Sequence, residues 1–240
     1  MESTVQIIPL TNLGITFIPV LLAIFILVKW SLQAGNALYS IVRMLIQLIL
    51  VGYVLVYIFQ SNDVWITLAV IAMMIIASCW IGLRTLGKLR VQLFGHSILA
   101  SVLGGGTVLL IVVWPVLALE PLYKPQFTIP LAGMIFANSM NTISLALERL
   151  NVEMRNGAQF IQARNTAMHT SMIPIINSMF AVGLVSLPGM MTGQVLSGVS
   201  PLIAVRYQIV VMCMIFASAT FSTAILLVLG EKTLAKCSEN

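Results

Sequence analysis

Charge is what this sequence lacks. Only 8% of its 240 residues are Asp, Glu, Lys or Arg, against roughly 25% in soluble domains. Hydrophobic residues make up 60%, and mean hydropathy is +1.05. So little polar surface cannot cover a soluble globule, which excludes a soluble enzyme, a disordered chain and a collagen-like fibre. The acidic residues are Glu2, Asp63, Glu120, Glu148, Glu153, Glu231 and Glu239, all outside the long apolar runs. With no carboxylate inside a prospective span, proton coupling and intramembrane aspartyl proteolysis are disfavoured. Lys29, Lys88, Lys124, Lys232 and Lys236 lie at the ends of runs, which leaves no mid-helix amine for a retinal Schiff base. His96 and His169 lack a third ligand for a shared metal site. Cys79, Cys213 and Cys237 have neither disulfide nor metal-ligand spacing. Gly82 to Leu89 has the glycine and Gly-Lys spacing of a phosphate loop, but Leu89 stands where Ser or Thr would hold magnesium. The segment reads as a basic stop at the cytoplasmic face, so the chain does not hydrolyse ATP on its own.

What is present is long apolar sequence. Charge-free stretches run 3–28, 44–62, 64–83, 91–119, 125–147, 165–205 and 207–230. A spanning helix needs about 20 mostly apolar residues. A charge at its centre costs roughly 2.5–3.5 kcal/mol, so charge-free windows mark spans. The runs are continuous, unlike the short alternating strands of a membrane barrel. The expected fold is an all-α polytopic membrane protein, 1–240 forming one transmembrane domain. Its helices fall at about 8–28, 38–59, 64–83, 97–119, 127–147, 172–197 and 206–229. The first has no basic n-region or cleavage site, so a retained helix is expected. The sixth is broken near Pro188-Gly189, since proline interrupts a helix; the alternative is two spans within 165–205.

The basic residues orient these spans. With the N-terminus outside, the cytoplasmic side holds Lys29, Arg43, Arg84, Lys88, Arg90, Arg149, Arg155, Arg164, Lys232 and Lys236. The outer side holds Lys124 and Arg206. Cytoplasmic loops carry excess Lys and Arg, so the C-terminus is expected inside, in the cell inner (plasma) membrane. The net charge of +5 thus reads as topology, not as a nucleic-acid footprint. Glu148 to Ser171 mixes charge with apolar residues and reads as an amphipathic helix at the membrane surface. It is either a plain connector or a docking surface for a cytosolic partner.

Polar residues inside the spans are the candidate pathway. Arg43 and Gln47 share one face of the second helix; Arg43 either snorkels to headgroups or lines a polar path. Asn138 and Asn141 sit in the fifth helix, and Ser186, Thr192 and Gln194 flank the Pro188-Gly189 break. Non-helical backbone in a membrane is tolerated only against protein or a water-filled cavity, and such breaks often mark substrate sites. Met190 and Met191 either pack or offer thioethers to a soft metal. The glycines, including Gly104 to Gly106, Gly189 and Gly193, permit close helix packing, within the chain or across a homodimer.

A resemblance enters at these residues. Val182-Gly183-Leu184-Val185-Ser186-Leu187-Pro188-Gly189-Met190-Met191-Thr192-Gly193-Gln194 resembles the signature of the bacterial iron-export ABC permease family, the FetB-like proteins. Plant aluminium-tolerance permeases are similar to the same family. Arg43 to Leu55, Ile129 to Ile135 with Asn138, and Ala204 to Met212 match further pieces in the same order. The resemblance implies a permease subunit that works with a separate cytosolic ABC ATPase and exports iron or another small solute. It implies that ATP is used by the partner and that this chain binds no cofactor itself. It places ATPase coupling in 148–171, at Arg155, Gly157 and Arg164. Two features depart from the pattern. Asn177 and Phe180 stand where the family has an acid and a base, and a common Leu-Gly-Ala-Thr-Pro piece is reduced to Gly157-Ala158. The alternatives are an ATP-independent channel or carrier and a non-transporting membrane regulator.

Overall fold

The computed structural model describes residues 8–30, 32, 34–61, 63–87, 89–121 and 123–235. Glu2, Lys88, Lys236, Cys237 and Glu239, which enter the charge arguments above, lie outside the described residues. The described residues are helical, with no named strand among them, and fall into two compact units.

One unit holds the described residues up to Ser61, together with Leu196–Gly198. It contains α1 (Leu10–Ile15), α2 (Phe17–Lys29) and α3 (Ala34–Ser61). Leu10–Lys29 and Ala34–Gln60 are each long and apolar enough to cross a bilayer. At about 1.5 Å per residue, the 28 residues of α3 run about 42 Å, more than the roughly 30 Å hydrocarbon layer.

The second unit holds the described residues 63–195 and 199–235. Its first helix, α4 (Val64–Gly82), is capped by Asp63, whose carboxylate accepts from the Trp65 amide at 2.8 Å. That bond satisfies one of the amides a helix start leaves free. A 3₁₀ turn, Arg84–Leu86, leads to α5 (Leu89–Ser101) and α6 (Thr107–Ile111). π-helical turns at Val102–Gly106 and Val112–Val116 follow these two helices in line. The fourth span is thus Leu89–Val116, and it begins eight residues before the expected 97.

The π-turn glycines are a packing requirement. A Cβ built on Gly104 would lie 2.5 Å from the Ser222 backbone nitrogen, and one on Gly105 would lie 2.9 Å from Ile135. Only a residue without a side chain lets the fourth span approach α10 (Pro201–Leu229) this closely. Proline opens α10 and also α7 (Pro125–Arg155), where its missing N–H costs nothing.

α7 corrects the expected 127–147 helix and the surface segment after it. It continues unbroken to Arg155, and α8 (Phe160–Ala181) starts five residues later. Segment 148–171 is therefore two helix ends joined by a tight turn. Gly157, at φ +84, closes that turn. Its amide donates to Met154 and that of Ala158 donates to Glu153, both at 3.1 Å, which is the Schellman pattern. Falling hydropathy after Leu147 ends the apolar run, but Glu148, Arg149 and Glu153 are good helix formers, so the helix continues. An Arg149–Glu153 ion pair one turn apart supports it.

The sixth expected helix, 172–197, is two helices: the second half of α8, then α9 (Gly189–Leu196) after a seven-residue interruption. Six described helices are individually long and apolar enough to span; α8 and α9 are not among them. A short α11 (Glu231–Ala235) closes the unit.

Two apolar clusters hold it together. One joins Leu83, Leu86 and Leu93 to Leu147, Leu150, Ala163, Ala167 and Leu234, locking the α7–α8 turn end to α4, α5 and α11. The other joins Val108, Leu109, Val112 and Val113 to Ile135, Phe136, Val211 and Met214.

Candidate functional site

The helix break explains itself from the Ala181 carbonyl. Val185, Ser186 and Leu184 donate to it at 2.8, 3.1 and 3.2 Å. Gly183 donates back to the Ser186 carbonyl at 3.0 Å and sits at φ +84, a conformation that L side chains rarely adopt. The glycine this turn needs is therefore Gly183, not Gly189. Gly189 has ordinary φ, and a Cβ there would meet nothing within 4 Å. The chain re-enters helix at Pro188, whose carbonyl accepts from the Thr192 amide at 2.9 Å and from its hydroxyl at 3.1 Å. Within the turn the amides of Val182 to Ser186 all find backbone carbonyl partners.

Depth follows from helix arithmetic. Along α7 and α8 the residues lining a common cavity step in opposite directions, Asn138, Asn141 and Leu145 against Ser178, Ile175 and Ser171. That is the register of an antiparallel hairpin turning at Ala158. At about 1.5 Å per residue, Asn141 lies about 21 Å along α7 from Arg155. The eight residues from Glu148 to Arg155 extend about 12 Å past the apolar run of α7, and Ala181, where α8 ends, lies about 32 Å along α8 from Phe160.

The cavity between α7, α8 and α10 has a volume of about 190 Å³. Its oxygen-bearing side chains are Asn138, Asn141, Thr142, Ser171 and Ser178. Three of these are tied to their own helices. Asn138 donates to the Met134 carbonyl at 2.8 Å, Thr142 to the Asn138 carbonyl at 2.9 Å, and Ser171 to the Met168 carbonyl at 2.9 Å. Their remaining lone pairs and the exposed Asn141 amide offer neutral oxygens with no fixed charge.

A second cavity, of about 350 Å³, lies at the break itself, between the end of α8, the start of α9 and α10. Pro188 and Met191 line it, with Gln208 as its buried polar side chain. Met212 borders both cavities.

The expected site residues therefore separate. Asn138 and Asn141 share the oxygen-lined cavity, whereas Pro188 and Met191 belong to the break cavity. Met190 packs on the apolar cluster of α6 and α7. Ser186 is exposed and borders neither cavity, and Thr192 is tied to Pro188. Gln194 is half-buried, and its Oε1 has no hydrogen-bond partner. Arg43 and Gln47 lie in the other unit, one turn apart on α3 and exposed. At the hairpin turn, Arg155 and Gly157 are exposed, and Arg164 is half-buried on α8. Sequence reasoning missed Ser171, Pro174 and Gln208. Gln208 is the one amide side chain in the α10 sequence, a signal that was legible. Ser171 lay in the segment read as surface helix, which hid it. Among the described residues, no three His, Cys, Asp or Glu side chains converge on a metal position.

Comparison with known proteins places this architecture. The uncharacterised protein family UPF0014 matches residues 10–235. The UPF0014 membrane protein slr1647 of Synechocystis is 37% identical over 79% of this chain and 79% of its own length. The probable iron export permease protein FetB of Escherichia coli is 32% identical over 89% of this chain and 87% of its own. The protein ALUMINUM SENSITIVE 3 of Arabidopsis thaliana is 33% identical over 85% of this chain and 79% of its own. No solved structure matches. On the match of nearly its whole length, the chain, a polytopic all-α membrane protein, belongs to the UPF0014 family.

Proposed function

We propose that this chain is the permease subunit of an ABC exporter, moving a metal ion or another small solute out of the cytoplasm with a separate ATPase. It is not an enzyme in this reading. ATP is bound and hydrolysed by the partner, and two permease copies and the bilayer complete the assembly in the inner (plasma) membrane.

The observation that carries the reading is the α7–α8 hairpin. One helix pair bears the neutral-oxygen cavity at membrane depth and, about 20 Å along, an exposed tight turn with Arg155 and Gly157. The turn end of both helices packs into an apolar cluster. A partner that displaced the turn would move the cavity walls, because both lie on the same two helices. Kinship with the protein named FetB supports the export direction and a metal substrate.

The test is co-expression with a candidate ABC ATPase and purification through the permease. Association is expected for the wild type and for Asn138→Leu, and its loss is expected for Arg155→Glu with Arg164→Glu. Export should fail in both variants. Association that survives the double charge reversal would place coupling elsewhere and refute the hairpin assignment.

A further inference from the structure

The break cavity differs from its neighbour in the chemistry of its lining. Along α10 its walls are Val205, Gln208, Ile209, Met212 and Cys213. These positions repeat at the i, i+3, i+4, i+7, i+8 spacing of one helical face. Opposite stand Met179 at the end of α8 and Met191 in the first turn of α9. Three thioethers and one thiol, from three helices, thus border a single space of about 350 Å³. Met212 lies about 17 Å along α10 from Pro201, near the middle of a roughly 30 Å hydrocarbon layer. Gln208 is 4% exposed, and its Oε1 has no hydrogen-bond partner. A buried amide oxygen is costly unless it is paired, so Gln208 adds one polar acceptor to a lining otherwise made of apolar and sulfur side chains.

We infer that this cavity is a binding site for a soft monovalent cation, Cu(I) or Ag(I), held by Met179, Met191, Met212 and Cys213. Soft sulfur donors select Cu(I), whereas hard divalent ions take carboxylates, carbonyls and water. The lining contains no carboxylate, so a hard dication would have no compensating charge there. A monocation needs one negative ligand. Cys213 supplies it by giving up its thiol proton: the sulfur–metal bond forms, the S–H bond breaks, and the proton leaves to solvent. Methionine side chains, with three rotatable bonds, close on an ion without moving the helices. The interruption of helix at Val182–Pro188 is what lets residues of α8 and α9 meet α10 at one level.

This inference deepens the transport reading by naming the class of ion admitted at the break, and its test does not require the ATPase. Full-length protein in detergent is titrated calorimetrically with silver nitrate under argon, in two buffers of different ionisation enthalpy. One silver ion should bind, with release of a proton. Met179→Leu/Met191→Leu/Met212→Leu conserves side-chain volume, so the fold should hold. Removing donors should weaken silver by at least the roughly 10–100-fold that losing one supporting residue around a metal costs. Cys213→Ser should abolish the proton release, and Met190→Leu, outside the cavity, should change neither. X-ray absorption at the silver edge should show sulfur neighbours. Cu(I), delivered in competition with a chromophoric chelator, should displace silver, and Fe(II) should not. Equal silver affinity in the triple variant, or an oxygen and nitrogen shell at the silver, would overturn the assignment. An apolar detergent tail in the cavity would be revealed by a wild type that takes no silver, and that also overturns it. ATPase association is measured on the same preparations, so silver binding without association would sink only the exporter reading.

Discussion

Gly104→Ala is the substitution whose consequence the structure sets most directly. The new Cβ would stand 2.5 Å from the Ser222 nitrogen, 2.7 Å from its Oγ and 2.8 Å from its Cα. Two of these are backbone atoms of α10, so no rotamer change relieves the clash. The π turn and α10 must separate by close to 1 Å to reach an ordinary contact of about 3.5 Å. That separation loosens the apolar contacts of Val108 and Leu109 with α7 and α10. Overpacking of this kind typically costs about 1–3 kcal/mol. For a chain of 240 residues each kcal/mol lowers Tm by about 2–4 °C. Gly95→Ala is the internal control, since a Cβ there meets nothing within 4 Å. In mid-helix it should be neutral or stabilise by about 0.5–1 kcal/mol. Thermal denaturation of both variants in one detergent, followed by size-exclusion chromatography, reads the difference. Equal melting of Gly104→Ala and wild type, or an equal loss in Gly95→Ala, would refute the close-approach argument.

Gly157→Ala should cost roughly 1–2 kcal/mol, because alanine must then hold φ +84; the same melting assay checks it, and an unchanged Tm would mean that the turn relaxes freely. Arg90 stacks on the Trp80 ring at 3.6 Å and donates from Nε to the Trp80 carbonyl at 2.8 Å. Arg90→Lys lacks the planar fork and should lose about 0.5–2 kcal/mol; in a Trp80→Leu background the loss should shrink by its ring-stacking share, since the Trp80 carbonyl that Arg90 also bonds is backbone and remains. A reporter fused to the C-terminus should be active only in the cytoplasm, and activity on the outer side would invert the charge-based topology.

How much was legible in the residues differs from one feature to the next. The spans were readable because burying a charge in lipid is expensive: Asp63, Arg84, Glu120 and Lys124 mark ends that the helices respect. The end of α7 was not readable from hydropathy. Apolarity stops at Leu147, but the i→i−4 ladder continues to Arg155, because a fall in hydropathy does not break a helix made of good helix formers. The interruption in 172–197 was legible from Pro188, yet its centre was misplaced. Proline and glycine announce that a turn is near, while the residue at positive φ, Gly183, is selected by which carbonyl the turn closes on. The family signature was legible because it is contiguous. The grouping of Asn138 with Ser171 and Ser178, and of Met191 with Met179, Met212 and Cys213, was not. Sequence order fixes which side chains share a helix face; only the packing of α8 and α9 on α10, permitted by the break, decides which faces meet.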